Sequence, residues 1–244
     1  MPPEISSART TVPVTLAGQT VVLDHSGAAW LPTTGDLLVS DLHLEKGSAF
    51  AERGRAMLPP YDTAETLRQL EKVIRRITPR RVICLGDTFH DLAGEARMAE
   101  SDRNRLARMV TATGWVWIAG NHDPAPPEQY GGEVAEELRV GDIVLRHDVV
   151  IGPNAAIPAG EVIGHYHPKA IVRVRGRRIS GKCFVTDGRL LVLPAFGAFT
   201  GGLNVRDDAI SGLLRGDFQA FMIGRSGLFA FRRDALVPDP KRAA

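Results

Sequence analysis

Cysteine is nearly missing from this 244-residue chain, which has two, Cys84 and Cys183. Both lie singly inside apolar runs, "RVICLGD" and "GKCFVTDG", so no disulfide framework is expected and a reducing compartment suits them. Aromatic residues are scarce at 6%, which predicts a core of Val, Leu, Ile and Ala. No window approaches the ~18 apolar residues of a membrane span. The opening "MPPEISSARTTVP" has no apolar centre of the kind a signal peptide needs. These absences predict a cytoplasmic protein with no membrane partner. Charge of one sign is lacking too: the formal net charge is +2, which neither demands nor excludes a nucleic-acid partner.

Hydrophobic content is 44% and charged content 24%, ordinary for a globular chain able to bury a substantial core. No repeat, low-complexity tract or linker divides it, so one domain over residues 1–244 is expected. The Pro-rich polar ends, about 1–11 and 238–244, are expected to be loose. Short strand-like runs dominate: "VPVTLAG", "TVVLD", "GDLLVSD", "RRVICLGD", "GWVWIAGN", "ELRVGDIVLRHD", "GEVIGHYH", "AIVRVRGRRI", "KCFVTDGRLLVLP" and "SGLFAFRR". Gly-Asp, Asp-Gly and Gly-Arg turns between the later runs predict antiparallel hairpins. Helices are fewer. "DTAETLRQLEKVIRRI" offers Asp62 as N-cap with Glu65 three residues on, and Leu67, Leu70, Val73, Ile74 and Ile77 at helical spacing. A second helix is expected across "GEARMAESDRNRLARMV". A βαβαβ-like first half and a nearly all-β second half favour two packed sheets with helices outside.

Polar groups gather where apolar runs stop. Asp41 and His43 end "LLVSDLHLEKG", Asp87 ends "VICLGD", and Asn121, His122 and Asp123 end "WVWIAGNHD". His147 ends "IVLRHD", while His165 and His167 end "VIGHYHP". Five of the seven histidines occupy such positions; His25 and His90 fit less cleanly. A lone strand-end histidine is ordinarily structural, but chance would scatter seven of them. Imidazole, carboxylate and amide oxygen without thiolate suit Mn, Fe, Zn or Ni. Seven donors drawn from these groups already exceed one tetrahedral zinc and suffice for two ions about 3.5–4 Å apart.

The ordered series Asp-x-His, Gly-Asp, Gly-Asn-His-Asp, His, Gly-His-x-His resembles the calcineurin-like metallophosphoesterase superfamily. The likeness runs from Asp41 to His167. It implies an α+β fold, a four-layer αββα sandwich of two mixed sheets flanked by helices. It implies Asp41, His43 and His167 on one divalent ion, Asn121, His147 and His165 on another, and Asp87 bridging them, with Mn favoured. The implied reaction is phosphodiester hydrolysis by a hydroxide held between the ions, and His122 assists the departing oxygen. Two positions depart from the pattern. Arg146 stands where a Gly often precedes the fourth-block histidine. The chain reads "GDTFHD" where many read Gly-Asp-x-x-Asp, so Asp91 or Asp123 is left to orient His122.

"VSDLHLEKGSAFAERG", "LPPYDT", "GDTFHD", "GNHDP", "GHYHP" and "LPAFGAFTGGLNV" resemble, more narrowly, the bacterial ligase-associated DNA damage response endonuclease branch. That likeness implies DNA as substrate and DNA ligase or helicase as repair partners. A phosphodiesterase or phosphatase for a small nucleotide, or a catalytically weak scaffold in a repair assembly, are the alternatives. Lys46, Arg53 and Arg55, in the loop after the first block, either meet substrate phosphate or are solvated loop charges. The stretch "AIVRVRGRRISGKC", with Arg173, Arg175, Arg177, Arg178 and Lys182, reads as a hairpin. Its charge is either a phosphate-tracking ridge or protection of a sheet edge, the latter slightly favoured. "PAFGAFTGG" either borders the pocket or packs a turn.

Overall fold

The computed structural model describes residues 9–54, 61–123, 127–150, 152 and 157–240. Seven strands make the first sheet, in spatial order β1 to β7. They are β1 (Thr11–Leu16), β2 (Gln19–Asp24), β3 (Ala29–Leu31), β4 (Asp36–Val39), β5 (Arg81–Leu85), β6 (Gly114–Ile118) and β7 (Glu133–Ala135). The first four run antiparallel, and β4 to β7 run parallel. The crossovers carry the helices α1 (Lys46–Glu52), α2 (Asp62–Ile77), α3 (Gly94–Arg97) and α4 (Glu100–Ala112).

The second sheet holds β8 (Glu137–Val140), β9 (Ile143–Arg146), β10 (Gly160–Ile163), β11 (Pro168–Val174), β12 (Arg177–Thr186) and β13 (Leu190–Val192). It also holds β14 (Leu203–Asn204), β15 (Gln219–Ile223) and β16 (Leu228–Arg232). The order is β14-β11-β12-β13-β10-β9-β8, with β15 joining β12 to β16. Here β10 is parallel to both β9 and β13. One short helix, α5 (Asp208–Ser211), lies outside this sheet.

Side-chain alternation explains the layering. On β5, Ile83 and Leu85 face the second sheet, while Val82 and Cys84 face α2 and α4. On β6, Val116 and Ile118 point inward, and Trp115 and Trp117 point to the helices. Both faces of these parallel strands are buried, so their sequence is continuously apolar rather than alternating. Between the sheets, Leu16, Leu38, Ile83 and Val116 pack with Leu145, Val162, Phe184 and Leu191 in one cluster. Each such side chain contributes about 1.5–3 kcal/mol by burial.

The helix over "DTAETLRQLEKVIRRI" forms as expected, with Leu67, Leu70 and Val73 buried. Its capping differs. Tyr61 precedes the first turn and no side chain caps it, because the Asp62 carboxylate accepts the Gly47 N–H at 2.9 Å instead. The stretch after the first polar block, expected as loop, forms α1. The second expected helix divides into α3 and α4, since Met98 takes an extended conformation (φ −63°, ψ 134°) and buries its side chain. Near the N-terminus, Arg9 already bridges to Leu228 and β1 begins at Thr11, inside the region expected to be loose. Among the described residues, no helix is long and apolar enough to cross a membrane.

Candidate metal centre

Parallel strands bring their carboxyl ends to one edge, where open α/β sheets place their ligands. Asp41 and His43 follow β4, Asp87 follows β5, and Asn121 and His122 follow β6. Likewise His147 follows β9, and His165 and His167 follow β10. Hydrogen bonds from Asp41 N to Gly86 O (3.3 Å), His43 N to Asp87 O (3.0 Å) and Leu44 N to Thr88 O (2.8 Å) tie the first two loops together. Nine described non-glycine residues hold positive φ, and five of them are Asp41 (+53°), His43 (+43°), Asp87 (+49°), His165 (+65°) and His167 (+44°). Left-handed backbone costs about 1–3 kcal/mol at a non-glycine residue and collects at functional sites.

All seven expected donors converge, in two groups. In one, the His43 and His167 Nε2 atoms lie 3.0 Å apart, and His167 Nε2 is 3.2 Å from Asp41 Oδ1. In the other, Asn121 Oδ1 is 2.9 Å from both His147 Nε2 and His165 Nδ1. Asp87 stands between the groups. Its Oδ2 is 3.6 Å from His43 Nε2, and its Oδ1 is 3.5 Å from His147 Nε2. The His147 ring is oriented by Nδ1–H donation to the Leu85 carbonyl at 2.9 Å, which turns Nε2 toward the centre. Burial pushes the His43 pKa down to about 2, against the opposing charge of Asp41. A neutral imidazole is the form that binds a metal. Asp41 is held below the usual carboxylate range: burial would raise it, but the hydrogen bond from His167 and the charges of His167, His147 and His43 prevail. Carboxylate, amide and imidazole donors packed this closely without thiolate fit divalent ions of the Mn, Fe, Zn and Ni type.

The intervening glycines are needed for space. A Cβ at Gly120 would overlap the backbone and carboxylate of Asp87, and one at Gly164 would overlap Ser40 Oγ and Asp41 Oδ2. Only Gly86 also uses a positive φ, +76°.

His122 sits at the exposed lip. Its N–H donates to Asp87 Oδ1 at 2.9 Å, and its Nδ1 donates to the His90 carbonyl at 2.9 Å, freeing Nε2. The orienting group is therefore a backbone oxygen at the position where "GDTFHD" departs from the expected Asp. Asp91, expected for that task, instead accepts from Arg97 Nη2 at 2.6 Å. Asp123 does not reach His122 either; its Oδ2 accepts the Phe89 N–H at 3.0 Å. Its buried Oδ1 has no hydrogen-bond partner among the described residues, and burial raises its pKa to about 7. Sequence reasoning set His90 aside, yet its ring stacks on His122 (5.5 Å, 20°) and on Phe50 (5.7 Å, 25°). The only signal for it was its place three residues after Asp87.

The model of the calcineurin-like phosphoesterases matches residues 37–183. The chain belongs to the calcineurin-like phosphoesterase family. It is a metal-dependent phosphoesterase. A crystal structure of the nuclease MPE of Pseudomonas putida superposes with a TM-score of 0.69 at 24% identity, covering 91% of this chain and 100% of that one. At that identity the likeness shows the fold. The phosphoesterase Yfce from E. coli matches more loosely, with a TM-score of 0.40 at 12% identity over 79% of this chain and 95% of its own. No curated protein matches in sequence.

Around the phosphoesterase site, Lys46 opens α1, half-buried, and lines a recess with Leu42, His43, Asp62 and Gly197. Burial lowers its pKa, with Asp62 opposing. Arg53 is exposed and leans toward Asp91 at 3.8 Å. Arg55 lies outside the described residues. The "PAFGAFTGG" segment borders the site: Phe196 N and Gly197 N donate to the Ser40 and Asp41 carbonyls at 2.8 and 3.1 Å. Lys182 points inward, where its Nζ donates to Ala195 O (2.9 Å), Gly197 O (2.6 Å) and Thr200 Oγ1 (2.9 Å). It pins that turn and is no part of an exposed ridge. Arg146, the second departure, is taken up by Glu161 at 2.5 Å.

Proposed function

We propose that this phosphoesterase hydrolyses phosphodiester bonds, with DNA in a repair setting as its substrate, in the cytoplasm, and with Mn as its favoured ion. The observation that carries the reading is the convergence of seven oxygen and nitrogen donors in two groups about Asp87, with His122 Nε2 free at the lip. Asp41, His43 and His167 would hold one ion, Asn121, His147 and His165 the other, and Asp87 would touch both. Two divalent ions, when bound, supply positive charge for the phosphoryl oxygens and make hydroxide available near neutral pH. His122, held by the His90 carbonyl, gives a proton from Nε2 of its doubly protonated ring to the departing oxygen and keeps the one on Nδ1. Lys46 offers its ammonium to a non-bridging or flanking phosphate oxygen. The branch likeness of the loop segments, and a fold shared with a nuclease, support DNA over a small nucleotide. Buried free thiols at Cys84 and Cys183 agree with a reducing compartment.

A substrate panel with Mn-loaded protein tests this: aryl phosphodiesters, nucleotides, single-stranded DNA and duplex DNA. Metal-dependent turnover of aryl diesters and of DNA is expected. Turnover confined to mononucleotides would overturn the DNA reading, and a folded protein with no metal-dependent turnover at all would overturn the catalytic one.

A further inference from the structure

The β11–β12 hairpin carries charge that the metal centre does not use. Arg173 on β11 stands directly opposite Arg178 on β12, and Lys169 directly opposite Lys182. Strand alternation puts these four side chains on one face. Arg175 and Arg177 flank Gly176 at the tip. Like charges placed opposite each other destabilise a sheet, and protecting an edge from pairing needs no such pairs. Lys169 meets Asp239 at 3.4 Å and Lys182 turns inward to the Ala195–Thr200 turn, but the arginines are not neutralised. Arg68, Arg75, Arg76, Arg81, Arg97 and Arg146 all meet carboxylates, whereas among the described residues Arg173, Arg175, Arg177 and Arg178 meet none. Among the described residues Arg178 donates only to the Pro238 carbonyl, which leaves most of its donor fork without a described partner.

The ridge is rooted in the site. β11 starts immediately after His167, and Lys182 holds the turn beside Asp41. Arg173 is six residues beyond His167, about 20 Å along an extended strand. That distance matches about six base-pair steps of a duplex.

We propose that this hairpin is a docking ridge for the sugar–phosphate backbone of a nucleic-acid strand extending beyond the scissile bond. The proposal rests on the phosphodiester reading above and adds where a long substrate is held. No aromatic side chain lies between Lys169 and Lys182, so bases are not stacked and recognition is independent of sequence. Binding through phosphates releases counterions and therefore weakens steeply with salt.

The test compares wild type with the variant R173A/R175A/R177A/R178A. Affinity for a fluorescent 30-mer oligonucleotide is measured by anisotropy across a salt series in chelator, and hydrolysis of bis(p-nitrophenyl) phosphate is measured with Mn. The variant is expected to bind the oligonucleotide at least tenfold more weakly at about 0.1 M salt. The slope of log affinity against log salt should shrink by up to about 3.6, near 0.7–0.9 for each of four lost phosphate contacts. Hydrolysis of the aryl diester should be unchanged. If wild type binds the oligonucleotide and the variant matches it in affinity and slope, the ridge is overturned and the phosphodiester reading stands. Should wild type neither bind nor cleave any oligonucleotide, the ridge and the DNA reading fall together, while hydrolysis of the aryl diester separately decides the phosphodiester reading. A parallel loss of aryl-diester turnover, or preference for anionic vesicles over the oligonucleotide, also overturns the ridge.

Discussion

His122 holds its free Nε2 on a ring fixed from behind by a backbone oxygen and flanked by the His90 ring. A carbonyl cannot take the proton, so Nδ1 keeps its hydrogen and, in the proposed role, Nε2 is the atom that exchanges with substrate. Replacing His122 by Ala should lower kcat on an aryl phosphodiester by about 10²–10⁴-fold while metal content, measured by elemental analysis, stays at the wild-type level. Loss of metal would instead make His122 a ligand and refute its assigned task. At Gly164 the constraint is steric. A methyl group there would strike Ser40 Oγ and Asp41 Oδ2, so Gly164→Ala should reduce bound metal per chain, the Asp41 side being the one displaced. An unchanged stoichiometry would show that the loop can yield.

At the scale of elements, the turn from Ala195 to Thr200 is braced on one side by Lys182 and on the other by the backbone of Ser40 and Asp41. Lys182→Met would leave buried acceptors unpaired, at about 1–3 kcal/mol each, and urea unfolding should show the loss. Its pH dependence has a definite sign. Burial, aided by the charge of Lys46, lowers the Lys182 pKa from 10.5 to about 8. Between those values the unfolded chain binds the proton and the folded one releases it, so this group adds stability as pH rises through that window. The gap between wild type and Lys182→Met should therefore widen from about pH 8 to about pH 10.5; a constant gap would mean that the amine is not desolvated as the structure describes.

Considered whole, the molecule is two sheets sharing one apolar interior, with Phe184 and Leu191 of the second packed against Leu38 and Ile83 of the first. Urea unfolding followed by tryptophan fluorescence and by far-ultraviolet circular dichroism should give a single coincident transition, since neither sheet buries its inner face alone. Separate transitions would divide the chain into two folding units. The proposed donors come from both sheets, so on that reading Mn should raise the Tm by mass action, near 2.7 kcal/mol at 100 times its Kd. Asp87→Asn should remove most of that shift. The donor blocks were legible in the sequence because each ends an apolar run, and a strand presents its end wherever it stops. The αββα layering was legible too, from the change between helical and strand-like periods. The sequence alone thus marked the residues proposed to hold metal, and tertiary structure decided which neighbours stand beside them. Asp91 turned to Arg97 and the carbonyl of His90 took the place beside His122. Lys182 turned inward while the hairpin arginines stayed out. Side-chain type can be read from a list of residues, but a hydrogen-bond partner depends on distance and direction, which exist only once the loops have packed.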